Sequence, residues 1–227
     1  MGDSVPGRRI GGDQVINRPA QFRLGAENRW GNVDVSALNS LDQVVGKVVG
    51  HSATLTHNPP PQDAKESAVL IALFQGAYGV EVVLTRRSQQ LRNHRGEISF
   101  PGGRIDGDEG AVDTALREAE EEIDLARADV EIIGQLSAAG TIVSNSHIVP
   151  IVARLHSKPS LFARNAEVDR VFSVPLLDLI RPDTYAEEFW IGPGGEHCIH
   201  FFHLDDETIW GVTARILFQL LSVALDT

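Results

Sequence analysis

Glu118, Glu121 and Glu122 stand close together in the run REAEEEID, Arg117 to Asp124. On a helix, at about 100° per residue, they fall within roughly one quarter of the circumference, so three like charges crowd one edge. Crowding of that kind costs stability unless a cation sits among the carboxylates. Hard divalent cations take oxygen ligands, and Mg²⁺ in particular is shared between a few carboxylates and the phosphate oxygens of a substrate. The residue types and their spacing therefore point to a Mg²⁺ or Mn²⁺ site that handles phosphate, against the plainer reading of a solvated helix face. Glu109 and Arg117 lie on adjoining faces and can brace the cluster without ligating metal. Arg117 can also pair with Glu121 at i+4.

These side chains need a helix to hold them. Val112, Ala115, Leu116, Ala119 and Ile123 recur at helical spacing as its buried stripe, with Asp106 or Asp108 as a cap ahead of a start near Glu109. Immediately upstream, LTRRSQQLRNHRGEISFPGG (Leu84 to Gly103) is basic. Arg86, Arg87, Arg92, Arg95 and Arg104 face a single acid, Glu97, in a chain whose net charge is −11. Guanidinium forks match phosphate oxygens, so this local excess suits an anionic substrate carrying several phosphates. Gly102 and Gly103 lack a Cβ and let the backbone approach metal or phosphate closely.

From Gly103 to Leu125 the chain resembles the Nudix box, the signature of the Nudix hydrolases, with Asp124 where that family usually has Gly. The resemblance implies that Glu118, Glu121 and Glu122 bind metal, that the Gly102 carbonyl joins them, and that the fold is an α/β/α sandwich with a mixed β-sheet. Asp124 would then end the helix in a left-handed conformation at a cost of about 1 kcal/mol relative to Gly. Leu84-Thr85, Arg87-Ser88, His94, Gly96 and Phe100 to Gly103 resemble the motif that precedes the box in the coenzyme A pyrophosphatases. Substrate contacts at Arg87, Ser88, Arg92, His94, Gly96 and Gly103 are the expectation. Asn165-Ala166-Glu167-Val168 ahead of VFSVPLLDLI is similar to a later segment of that subfamily, as is IWGVTARIL from Ile209. Glu167 is the candidate late acid that supplements the metal site or positions water.

The implied activity is hydrolysis of the diphosphate in coenzyme A or its acyl derivatives, giving 3′,5′-ADP and (acyl-)4′-phosphopantetheine. A Nudix hydrolase for another nucleoside diphosphate, such as ADP-ribose or NADH, is the rival within the class, because the box reads the diphosphate and not its substituents. A catalytically silent nucleotide-binding protein is the rival outside it. The upstream motif argues against the first and the intact glutamates against the second.

A chain of 227 residues, 42% hydrophobic, can bury one full core, so we expect one catalytic domain over 66–227. Residues 1–65 would be an extension with a short helix and a Pro-rich linker. The negative charge argues against nucleic acid or an anionic membrane surface as partner; a homodimer is allowed. Cys198 is the single cysteine, read as a packed strand residue. No apolar run approaches membrane-spanning length, and MGDSVPGRRIGGDQ lacks the apolar core of a signal peptide, so a cytoplasmic location is the expectation.

Around the site, residues 1 to 33 read as a mobile arm or an irregular strap. Ser40 with Gln43 forms a capping box for a helix through Val49, stopped by Gly50, which packs on the domain or on a second subunit. Asn58 to Pro61 reads as an extended linker. Strands are expected at 68–74, 80–86, 130–136 and 147–155, a hairpin over 185–204 with Trp190, Ile199 and Phe201 on its apolar side, and a C-terminal helix to about Ala224.

Overall fold

The computed structural model describes residues 9–25, 29–52, 54–55, 60, 63–141, 145–160, 162–192 and 195–227. Asn58, Pro59 and Pro61 of the proline run, residues 142–144 of the loop before the 146–155 strand, and the 193–194 turn lie outside them. In chain order the elements are β1 (Phe22–Leu24), α1 (Leu41–Ser52), β2 (Lys65–Gly76), β3 (Gly79–Arg87), β4 (Ile98–Ser99), β5 (Gly102–Arg104) and α2 (Ala111–Ile123). There follow β6 (Val130–Gln135), β7 (Ala139–Thr141), β8 (Ser146–Leu155), β9 (Val168–Pro175), α3 (Leu176–Leu179), β10 (Tyr185–Gly192), β11 (Gly195–His203), β12 (Thr208–Trp210) and α4 (Gly211–Ala224).

The larger sheet runs β4-β3-β2-β8-β6, with β5 on β2, β7 on β8 and β9 on β3. It is mixed: β2 pairs parallel with β8 and antiparallel with β3. Its strands bury both faces, as their near-continuous apolar runs require. The period-2 alternation sends Ala68, Leu70, Ala72, Phe74, Val83, Ile151, Ala153 and Leu155 to one face, against Ala115, Leu116, Ala119 and Ile123 of α2. Ile71, Leu73, Val82, Leu84 and Val152 go to the other, against Leu41, Val44 and Val48 of α1 and the apolar stripe of α4. This is the α/β/α sandwich of the sequence expectation, with α1 packed on the domain.

A second, four-stranded antiparallel sheet, β1-β10-β11-β12, joins it. Its first strand comes from the N-terminal segment. Residues 9–25 lie as a strap along this sheet, with the Arg9 N–H donating to the Asp183 carbonyl, the Gly11 N–H to the Leu204 carbonyl, and β1 in register with β10.

Local expectations shift at several helix ends. α1 continues through Gly50 to Ser52, and its Leu41 N–H donates to Gln75 Oε1 at 2.9 Å, a tertiary partner. α2 is capped by the extended backbone of Gly110 and not by Asp106 or Asp108. Val112 is 38% exposed, because helical periodicity marks a face without saying how far along the axis the covering sheet extends. At the other end Asp124 adopts φ 56°, ψ 31°, the left-handed conformation expected of it, and pairs with Arg164 at 2.6 Å. That pair is exposed and contributes little. Asp124→Gly should therefore stabilise the fold by up to about 1 kcal/mol, a rise in melting temperature of about 2–4 °C, with substrate choice unchanged. A lower melting temperature by calorimetry would give the Arg164 pair a larger role than its exposure allows.

Candidate active site

α2 lays its carboxylates along the edge that faces β5. Glu122 is buried at 4% exposure, and its Oε2 accepts the Gly102 N–H at 3.2 Å. Burial pushes its carboxyl up to about 7, against a nearby Arg87 that draws it down, with Glu118 and Glu167 adding to the rise. Holding such a group costs about 3 kcal/mol. Full burial of Leu116 and Ile123 on the same helix returns about 1.5–3 kcal/mol each, so the apolar stripe can carry it.

Glu118 is half-buried and its carboxyl also sits above the usual range, first through desolvation, with Glu121 and Glu167 adding repulsion against the pull of Arg117. Its carboxylate lies over Gly103: a Cβ there would stand 2.1 Å from Glu118 Oε1. A Cβ at Gly102 would meet the Ala68 carbonyl oxygen at 2.4 Å, so this strand position excludes a side chain, whereas at Gly103 the Glu118 carboxylate would have to move aside. Glu121 is 57% exposed at the open side of the cluster.

Arg117 ties the group together. Its guanidinium donates to Glu109 Oε1 at 3.1 Å and Oε2 at 3.0 Å, to Glu118 Oε1 at 2.9 Å and to Glu121 Oε2 at 3.5 Å. Glu109 is held below the ordinary carboxylate range, first by Arg117 and then by the Thr114 hydroxyl, which donates to its Oε2 at 2.8 Å. A carboxylate so engaged has little left to give a metal, which makes Glu109 a brace.

Around this core, the exposed Glu167 acts electrostatically on both Glu118 and Glu122, and its carbonyl accepts the Ser88 N–H at 2.7 Å. Ser88 is buried, with its Oγ accepting the Gln90 N–H at 3.3 Å. Its hydroxyl is therefore engaged within the loop. Gly96, also buried, closes that loop by donating its N–H to the Arg87 carbonyl at 3.0 Å. The loop carries Arg92, His94 and Arg95 exposed, and His94 Nδ1 pairs with Glu97 Oε2 at 2.9 Å, not with the cluster. Arg86 leaves the expected phosphate-binding group: it binds the fully buried Glu207 at 3.2 Å and Asp13 at 2.6 Å, locking the N-terminal strap to β3.

Sequence reasoning missed the piece that closes the helix from below. The Arg164 N–H donates to the Glu122 carbonyl at 2.9 Å, Arg164 Nη1 to the Glu120 carbonyl at 3.2 Å, and Asn165 Nδ2 to the Glu121 carbonyl at 3.3 Å. These satisfy the last carbonyls of α2 and put a cation at its negative end. An Arg-Asn pair just before Glu167 was the available signal.

The donor set fits a hard divalent cation. It is all oxygen, and two of its carboxylates are pushed toward neutrality by burial and mutual repulsion, a strain that bound positive charge would relieve. An arrangement of this kind on a mixed-sheet sandwich suits the handling of phosphate by a divalent ion. Residues 64–191 match the family model described as NUDIX domain. The chain belongs to the Nudix hydrolases, which act on phosphorus-containing anhydrides of nucleoside diphosphate derivatives and generally use divalent ions such as Mg²⁺ or Mn²⁺. It is 36% identical over 168 residues to the uncharacterized Nudix hydrolase NudL of Photorhabdus laumondii, covering 71% of this chain and 88% of that one. It is 34% identical over 203 residues to Nudix hydrolase 15, mitochondrial, of Arabidopsis thaliana, covering 81% and 69%. Among solved structures, a MutT/nudix family protein from Enterococcus faecalis aligns with a TM-score of 0.51 at 16% identity, over 83% of this chain and 70% of that one, a likeness of fold.

Proposed function

We propose that the protein hydrolyses the diphosphate of coenzyme A and its acyl derivatives, releasing 3′,5′-ADP and (acyl-)4′-phosphopantetheine. The observation that supports this reading is the basic loop after β3, which resembles the motif of the coenzyme A pyrophosphatases: Arg87 at its start acts on Glu122, the Gly96 N–H closes the loop onto the Arg87 carbonyl, and Arg92, His94 and Arg95 are exposed on it. Glu118, Glu121 and Glu122, with Glu167 and the Gly102 carbonyl, would hold Mg²⁺ or Mn²⁺. When bound, that ion neutralises the diphosphate and lowers the pKa of the attacking water.

The remaining work belongs to the chain. Arg117, itself fixed by Glu109, sets the orientation of Glu118 and Glu121. Gly103, with no side chain, leaves space for the Glu118 carboxylate. Arg87 places positive charge near Glu122, and Arg92 and His94, exposed on the loop, are the candidates for the far phosphate of the nucleotide.

The test compares kcat/KM with Mg²⁺ for coenzyme A, acetyl-coenzyme A, ADP-ribose and NADH. Coenzyme A and its acetyl ester should be preferred by at least about tenfold, the scale of one charge-assisted contact. A preference for ADP-ribose or NADH would replace the coenzyme A reading with that of another nucleoside diphosphate hydrolase.

A further inference from the structure

The geometry points to a second metal site on the β10–β11 hairpin, built by Glu187, Cys198 and His200 and suited to Zn²⁺. Glu187 and His200 face each other directly in the antiparallel register, and Cys198, opposite Phe189, lies two positions along the same face. One donor atom from each of the three lies within 4.8 Å of the others. Cys198 Sγ stands 3.9 Å from Glu187 Oε2. Ligands on a tetrahedral zinc ion, bound at roughly 2.0–2.3 Å, are themselves roughly 3.3–3.8 Å apart, so closure asks for side-chain shifts of about an ångström.

The chemistry differs from that of the α2 cluster. Thiolate, imidazole and carboxylate together form a borderline-soft set, which favours Zn²⁺ or Co²⁺ over the oxygen-seeking Mg²⁺. Glu187 and a deprotonated Cys198 supply two negative charges against the ion's two positive ones, and the thiol proton leaves to solvent on binding. Opposing them, Arg29 Nη1 stands 3.9 Å from Glu187 Oε2 with its guanidinium over the Phe218 ring, 4.7 Å from the centroid, so metal binding requires this 41% exposed side chain to swing toward solvent.

The surroundings orient the ligands. Tyr185 Oη lies 2.9 Å from His200 Nδ1 and 3.2 Å from Glu187 Oε2, the outer partner that ligating groups usually have. The His200 ring stacks on Phe218 of α4 at 4.1 Å between centroids and 8° between planes, which fixes its orientation. Glu187 and His200 are buried while Cys198 is exposed, so the site has a dry floor, an open side for entry and room for water as a fourth ligand. Because the Gly25 N–H donates to the Glu187 carbonyl at 2.8 Å and β1 pairs with β10, an ion here would fasten the hairpin where the N-terminal strap joins it.

The test titrates Co²⁺ into the full chain with Mg²⁺ in excess to occupy the carboxylate cluster. One equivalent should bring up a thiolate-to-cobalt charge-transfer band with strong tetrahedral visible bands. Zn²⁺ should displace it and, at about a hundred times its Kd, raise the melting temperature by about 5–10 °C. Cys198→Ser, at an exposed strand position, should keep the circular dichroism of the fold and lose the charge-transfer band. His200→Gln and Glu187→Gln should weaken binding at least about tenfold. No thiolate band would overturn the site. So would saturation at half an equivalent that persists in His200→Gln and Glu187→Gln, since that means two chains sharing an adventitious ion through their only cysteine. Either failure leaves Mg²⁺-dependent hydrolysis untouched, because an all-oxygen site gives no thiolate band.

Discussion

Replacing Glu122 by Gln is expected to cut Mg²⁺-dependent turnover by at least about a hundredfold while the fold stays intact, and Glu121→Gln should do the same. Each substitution removes a negative charge from the set that would hold the ion, and the Glu109 carboxylate cannot take its place because it is consumed by Arg117 and Thr114. Glu122 carries a second signature. Its folded-state carboxyl is pushed up to about 7 by burial, so the metal-free fold binds that proton more tightly than the unfolded chain does. The group therefore supports stability at low pH, and that support fades as pH rises from about 4.5 to about 7, a swing of about 3 kcal/mol. Without metal, Glu122→Gln should melt higher than the parent at pH 8, with the difference vanishing near pH 4.5. Near-parental rates with Mg²⁺ would remove Glu121 and Glu122 from the metal site, and a lower melting temperature at pH 8 would contradict the buried-charge account.

Coenzyme A should be cleaved with a kcat/KM about ten- to a hundredfold above that of dephospho-coenzyme A, which lacks only the 3′-phosphate. With Arg86 committed to Glu207 and Asp13, the basic segment still offers Arg87, Arg92, Arg95 and Arg104, more than a diphosphate needs beside a divalent ion. Arg87 lies close enough to Glu122 to act on it, which suits the diphosphate. Arg92 on the exposed loop is the candidate for the remote phosphate, with Arg87 as the alternative. A charge-assisted contact contributes roughly 1.5–3 kcal/mol, and remote binding of this kind can appear in kcat as well as KM. Arg92→Ala should then narrow the gap between the two substrates. Equal rates on both in the parent enzyme would refute a phosphate-reading role for the cluster.

The carboxylate-bearing helix was legible because its signals are local. Ala115, Leu116, Ala119 and Ile123 repeat at helical period, Glu118, Glu121 and Glu122 share the edge beside them, and Arg117 reaches Glu109 and Glu121 within two turns. The two-faced burial of β2 and β8 was visible as continuous apolar runs in the same way. What escaped was set at long range. Arg86 reads as one more arginine in a basic run until folding brings Glu207, 121 positions away, beside it. Ser88 matches a substrate motif, yet its place under the loop depends on the Glu167 backbone. β1 is three residues without periodicity, and only the edge of β10 makes it a strand. Val112 obeys the helical period and still faces water, because the extent of the covering sheet is a property of the partner and not of the helix.

The central claim is tested most directly by incubating coenzyme A with the protein and Mg²⁺ and identifying the products by mass spectrometry. The account predicts 3′,5′-ADP and 4′-phosphopantetheine in equal amounts, formed by the parent chain, suppressed by chelation and nearly absent with Glu122→Gln. Intact coenzyme A under conditions in which ADP-ribose or NADH is cleaved would contradict it.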